Sequence, residues 1–290
     1  MNRPAWLLAV LALVLGVSDF RSPASLAAEA PPQIGLQLWS LRAEMAKDVP
    51  GTLKRIKELG FTDVEAAGLS GLSAEDLRKQ LDAAGLVASG IHIQYDQFRN
   101  GTDQIIKDAK ALGAHYVIIP WIPHKGKYTA DDARTAAEHF NTWGQALKDA
   151  GLQLGLHPHG YEFNPEGDGT VFDVFAAATK PDLVVFELDV FWAFHAGQDP
   201  VKFMEKYASR VELLHLKDMK KGTPTGLFTG QAPKETSVAV GSGMIDFPAV
   251  MKEAEKIGVK HYYIEDEAPT AAEQLPVSLK YLEGLLQPQN

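Results

Sequence analysis

The stretch Gly151-Leu152-Gln153-Leu154-Gly155-Leu156-His157 and its counterpart Val211-Glu212-Leu213-Leu214-His215-Leu216-Lys217 decide the fold. Each is a short apolar run that ends in a polar residue, and in the first a glycine stands just ahead of the run. Such a run reads as a parallel strand buried on both faces. Six more runs of this kind flank them, giving eight in all. They are Ile34–Leu38, Asp63–Ala66, Val87–Ile93, Tyr116–Pro120, Gln153–His157, Leu183–Asp189, Val211–Lys217 and His261–Glu265. A helical pattern follows each. Leu53, Ile56 and Leu59 share one helix face, and the stretches Ala74–Ala84 and Ile105–Leu112 show the same spacing. Gly60, Gly85, Gly113, Gly151 and Gly258 stand between a helix and the next strand, where a left-handed cap is wanted. Eight strand–helix units without a linker predict an α/β fold of the (β/α)8 TIM-barrel type. An open doubly wound sheet is the alternative, but no Gly-x-Gly-x-x-Gly follows the first strand.

The N-terminus reads differently. Arg3, the apolar run Trp6–Val17 of 12 residues and the small residues Ser25-Leu26-Ala27-Ala28 have the order of a secretory signal peptide. The run is shorter than the roughly 20 residues that span a bilayer. The expectation is a signal peptide over residues 1–28, a single barrel domain over 29–290 and an exported protein, periplasmic or secreted, with no membrane association after cleavage. The chain has no cysteine, so disulfides and thiolate metal sites are excluded. Its 46% hydrophobic content can build the core that must stabilise it instead. A net charge of −9 without any basic block argues against nucleic acid as a partner. A homo-oligomer is compatible with the composition.

In a barrel the chemistry sits at the C-terminal ends of the strands. Four successive strands end in polar residues here: His157 with His159 and Glu162 beyond it, Glu187 and Asp189, His215 with Lys217, and Glu265. A polar group at the end of an apolar strand is costly to bury unless paired or ligated. Together these residues make a mixed nitrogen and oxygen site without sulfur. It suits one divalent ion: Mn, Mg, Co or Zn. Taken singly, each also fits a hydrogen-bonded strand end, and Glu187 is expected to pair with Lys217 rather than hold the ion.

Phe191-Trp192, His195-Ala196-Gly197-Gln198-Asp199-Pro200, Leu214-His215-Leu216-Lys217-Asp218 and Gly241-Ser242-Gly243-Met244-Ile245-Asp246-Phe247 carry a resemblance. So do Ile34-Gly35-Leu36-Gln37-Leu38-Trp39-Ser40-Leu41-Arg42 and Tyr263-Ile264-Glu265. With them the chain resembles the sugar phosphate isomerase/epimerase family, the xylose isomerase-like TIM barrels, over essentially its whole length after the N-terminus. The resemblance implies a metal held by a carboxylate after strand 5, Asp189, His215 and Glu265. It also implies two glutamate bases, on strands 5 and 8. Here the strand-5 position is His157, and the nearest carboxylate is Glu162. The expected ligands are therefore Glu162, Asp189, His215 and Glu265, with His157, His159, Glu265 and Lys217 as catalytic groups. His157 is the other candidate for the strand-5 ligand.

The remaining candidates would meet substrate. His92 and Glu65, near the ends of strands 3 and 2, could bind hydroxyls or serve as satisfied core groups. Trp39, Trp121 and Trp192 follow strand ends, where an aromatic face suits a sugar or simply fills the core. His124 and His195 are expected at the surface or just outside the site. The segment Asp218–Ile245 is long for a loop, and reads either as a lid or as an insertion without function.

The expected activity is isomerisation or epimerisation of a non-phosphorylated sugar through an enediolate. The alternatives are a metal-dependent lyase or hydrolase acting on keto-glycosides, or a sugar-binding barrel without chemistry. In either enzyme reading the ion polarises a carbonyl and a general base takes the neighbouring proton.

Overall fold

The computed structural model describes residues 33–287. The expected signal peptide over residues 1–28 lies outside them. Eight parallel strands close into a barrel. We number them β1 (Ile34–Gln37), β2 (Asp63–Ala66), β3 (Val87–His92), β4 (Tyr116–Ile119), β5 (Gln153–Leu156), β6 (Val184–Asp189), β7 (Val211–Leu216) and β8 (His261–Ile264). β1 pairs with both β2 and β8, so the barrel itself has no open edge. The major helices are α1 (Val49–Glu58), α2 (Ala74–Ala84), α3 (Asp103–Leu112), α4 (Ala130–Asp149), α5 (Val171–Ala178), α6 (Pro200–Lys206), α7 (Phe247–Ile257) and α8 (Ala271–Leu286). Among the described residues no helix is long and apolar enough to cross a membrane.

Local sequence explains the boundaries. Ser73, Thr129 and Thr170 each accept a backbone N–H three residues on and so start α2, α4 and α5. Gly85, Gly113 and Gly258 end α2, α3 and α7 with left-handed backbone, as the punctuation predicts. The helices bury their apolar faces against the outer side of the barrel. On α1 that face is Thr52, Leu53 and Ile56.

The barrel interior has two levels. Towards the N-terminal ends of the strands, Tyr116, Ile118, Val185, Leu213 and Tyr263 form their own apolar cluster, separate from the large core under the helices. Close packing there demands glycine. A Cβ on Gly35 would come within 2.8 Å of the Tyr263 ring, and one on Gly155 would collide with Ile118. Above that plug the interior turns polar. Glu65, Glu187, Asp189 and His215 are all completely buried. Six strand ends fall one residue short of the sequence reading, so that His157, Lys217 and Glu265, for example, are the first residues past β5, β7 and β8.

The long segment after β7 is folded rather than loose. Asp218–Met219 pairs antiparallel with Ser237–Val238 at its base. The Asp218 carboxylate accepts backbone N–H groups from Gly241, Gly243 and Ile245. Further out, Leu227 N–H donates to the His195 carbonyl at 3.1 Å. Gly230, with φ of +63°, lies so close to Trp121 and Tyr161 that a Cβ would come within 3.0 Å of either ring. The segment thus rests on the loops that follow β4, β5 and β6, at the end of the barrel where the polar strand ends lie.

Candidate metal centre and active site

Strand pairing brings the polar residues together. Asp189 and His215 are register partners between β6 and β7, and Gln37 and Glu65 are partners between β1 and β2. Side chains two residues apart on a strand share a face, so Glu187 sits one step deeper on β6 than Asp189. Two overlapping groups of ligand atoms converge within 4.8 Å: His157, Asp189, His215 and Glu265 nearer the mouth, and His92, His157, Glu187 and His215 beneath them. Three of the four expected ligands belong to the first group.

Asp189 is already oriented. Its Oδ1 accepts the N–H groups of Phe191 at 2.8 Å and Trp192 at 3.0 Å, capping the short helix that follows. Its Oδ2 is buried without any hydrogen-bond partner. A buried carboxylate oxygen left bare is costly unless something cationic meets it. His157 Nε2 lies 3.9 Å from that oxygen, and His215 Nδ1 lies 3.3 Å from Glu265 Oε2. Two imidazole nitrogens and two carboxylates, without a thiolate, fit a divalent ion of the Mn, Co or Zn kind.

Beneath this level the rings meet carboxylates. His157 Nδ1 is 3.0 Å from Glu187 Oε2, and His215 Nε2 is 2.7 Å from Glu65 Oε2. His92 Nε2 lies 2.8 Å from Glu187 and 3.0 Å from Glu65. Burial opposes charge on His92, but the two carboxylates outweigh it and raise its pKa to about 10. His215 is raised for the same reason, against the same penalty of burial, mainly by Glu187. His157 goes the other way: burial and the neighbouring His215 hold it well below the ordinary histidine range. Burial lifts Asp189 to about 7. Burial also penalises the charged form of Glu265, but Lys217 and His215 overcome this and keep its pKa low.

Lys217 does not pair with Glu187, contrary to expectation. Its ammonium lies 2.6 Å from Glu267 and 3.7 Å from Glu265. Glu187 instead faces three imidazoles, which surround it on the deeper level. Lys217 also sits 5.0 Å from the ring centres of Phe191 and Trp192.

Glu162 is not among the converging side chains. Its Oε2 accepts the His159 N–H at 3.0 Å, which turns the carboxylate back onto its own loop. Its Oε1 is buried without a partner, and burial pushes its pKa up to about 8. His159 stands half-buried at the mouth between two tryptophans, 5.6 Å from Trp121 and 5.5 Å from Trp192, ring centre to ring centre. Burial lowers its pKa to about 4, so the ring is uncharged at neutral pH. Trp39 is 45% exposed at the rim, and its indole N–H donates to Glu267 at 3.0 Å. His195 is buried rather than superficial, because the segment after β7 covers it. His124 hydrogen-bonds the Ile122 carbonyl at 2.8 Å and packs on Tyr161.

Two participants escaped the sequence reading. Gln37 donates to Glu65 at 2.7 Å, and Glu267 holds Lys217. Both carried a legible signal. Gln37 is a polar residue ending an apolar strand, and Glu267 is two residues beyond Glu265.

Residues 53–285 match the family described as xylose isomerase-like TIM barrel. The chain is similar to a sugar phosphate isomerase/epimerase from Parabacteroides distasonis, at 32% identity and a TM-score of 0.71, over 92% of this chain and 99% of that one. It is also similar to an inosose dehydratase from Clostridium perfringens, 26% identical over 197 residues. That match covers 59% of this chain and 64% of the relative, so the chain spans less than two thirds of that protein's length. The same fold occurs in the IolI protein, whose structure holds a zinc atom. There the identity is 14% and the TM-score 0.67, over 88% of this chain and 98% of that one.

Proposed function

The chain belongs to the xylose isomerase-like TIM barrel family, and from that premise we propose that it is a divalent-metal-dependent enzyme that removes a proton beside the carbonyl of a non-phosphorylated keto-sugar or keto-glycoside and eliminates the β-substituent. The observation that carries this reading is the commitment of His157. It occupies the end of β5 with Nδ1 on Glu187 and its ring fully buried. A pair of carboxylate bases facing each other across the substrate, as two-face epimerisation would use, is therefore not available from β5. Elimination needs one base and one acid instead.

Asp189, His215, Glu265 and His157 would hold the ion. Bound there, it would supply Lewis-acid polarisation of the substrate carbonyl. His159 is the general base that best suits the geometry, because its neutral ring lies at the mouth with Nδ1 unpartnered. Lys217 offers a fixed positive charge to the oxygen that gains electron density. Trp39 and Trp192 would flank the sugar's C–H faces. Glu65 is fully buried, whereas His92 keeps 11% of its side chain exposed, so of the two it is His92 that a sugar would reach.

Support for an uncharged substrate comes from Lys217. Two carboxylates, Glu265 and Glu267, flank its one positive charge, a net negative surrounding that disfavours a phosphate dianion, while the ammonium keeps a third N–H for a single oxygen that gains electron density. Export, read from residues 1–28, belongs to the same proposal and directs the enzyme to free sugars and glycosides. The inosose dehydratase relative favours elimination of water. Isomerisation is the second reading, favoured by the similarity to the Parabacteroides isomerase/epimerase.

The test is turnover of the ion-loaded protein on free sugars, inososes and 3-keto-glycosides in heavy water. Loss of water or aglycone is the expected product pattern. A product of unchanged mass apart from deuterium would make the enzyme an isomerase. Ion retention without exchange or turnover would leave only a sugar-binding barrel.

A further inference from the structure

We propose that Glu187 is a positioning residue that fixes the tautomer of His157, so that Nδ1 carries the proton and Nε2 presents its lone pair to the ion. This rests on the metal reading above and concerns the way one ligand is prepared for it. His157 brings no charge of its own, and a neutral imidazole has two tautomers, of which only one leaves Nε2 free. Among the described residues a single acceptor stands against Nδ1, namely Glu187 Oε2 at 3.0 Å. The opposite nitrogen faces Asp189 Oδ2, the bare buried oxygen. A carboxylate behind an imidazole raises the ring's strength as a ligand and fixes its orientation.

The pairing is specific to His157. His215 has Glu65 at 2.7 Å behind it, closer than Glu187 at 3.2 Å, and Glu65 is itself steadied by Gln37. His92 divides its contact between the two carboxylates. Glu187 Oε2 thus also meets His92 and His215, yet it is the one partner for Nδ1 of His157 among the described residues. Both residues of the pair are buried, so water does not compete for the bond.

The measurements are Co²⁺ and Zn²⁺ affinity by chelator competition and ¹⁵N NMR of the His157 ring in metal-free protein. The ring should show a protonated Nδ1 and a bare Nε2; the reverse would overturn the proposal. Glu187→Gln should weaken both ions about 10- to 100-fold while the circular dichroism spectrum is kept. A purely structural Glu187 would lose the same factor whatever stands at 157, so the second variant is His157→Glu. A carboxylate ligand needs no tautomer, and in that background Glu187→Gln should leave affinity unchanged or improve it by removing a like charge. Equal losses in both backgrounds would overturn the pairing. Ions held by the wild type and equally by Glu187→Gln would overturn the pairing alone. A wild type that holds neither ion would overturn the metal reading together with it.

Discussion

Trp39, just past β1, and Glu267, just past β8, are joined by a 3.0 Å hydrogen bond across the seam where the first and last strands meet. The same carboxylate holds the Lys217 ammonium at 2.6 Å. A bond at the rim therefore decides where the buried ammonium of the site points. That cation is 3.7 Å from Glu265, a group expected to hold the ion.

If Glu267 keeps Lys217 off Glu265, its removal should be felt at the metal. Glu267→Gln should let Lys217 settle on Glu265 and weaken ion affinity several-fold. Trp39→Phe, which deletes only the indole donor, should cost less. Titration calorimetry with Co²⁺ on both variants gives the comparison, and an unchanged affinity in Glu267→Gln would refute the competition.

Asp189 serves the backbone through one oxygen and is bare on the other, so its two roles can be separated. Asp189→Asn keeps a capping oxygen and should retain the melting temperature within a few degrees, yet lose ion affinity at least about 100-fold. Asp189→Ala should also lose the cap, a further cost of about 1 kcal/mol. Ion content by elemental analysis and thermal unfolding of the two variants would show whether the losses divide in this way.

The ion must compete with protons. His215 is held protonated by Glu187 and its neighbours in the ion-free protein, with its pKa raised. Ligation needs the ring's lone pair, so binding expels a proton. Affinity should therefore rise with pH, and uptake of Zn²⁺ in weakly buffered solution should acidify it. A flat affinity between pH 6 and pH 8 would contradict the raised pKa.

Glu162 gives a pH signature of stability. Its folded pKa of about 8 lies above the ordinary 4.5, because burial disfavours the charged form. The folded state thus binds a proton that the unfolded state has released. Stability falls as pH rises from about 4.5 towards 8 and then levels off. Glu162→Gln, which can still accept the His159 N–H, should match the wild type near pH 4. It should be more stable above pH 8, by up to about 5 kcal/mol for the full span from 4.5 to about 8. Denaturant midpoints across this range would reveal the trend, and a pH-independent difference would exclude it.

The sequence by itself determined the barrel. Its eight apolar runs, the helical spacing between them and the glycines at the turns repeat a local rule, and local rules are written in order along the chain. It also determined which end of the barrel carries the polar cluster, because Asp189, His215 and Glu265 lie at or just past the C-terminal end of a strand. Only the tertiary structure decided the pairings inside that end. Closing eight strands brings Glu65, His92, His157, Glu187 and His215 from five separate strands onto one deeper level, and distance along the chain carries no information about that. Glu187 therefore meets imidazoles rather than Lys217, and Glu162 turns back to its own loop, where it accepts the His159 N–H. Which residue a buried carboxylate serves is settled by the donors within about 3 Å once water has been excluded, and those neighbours exist only in the folded chain.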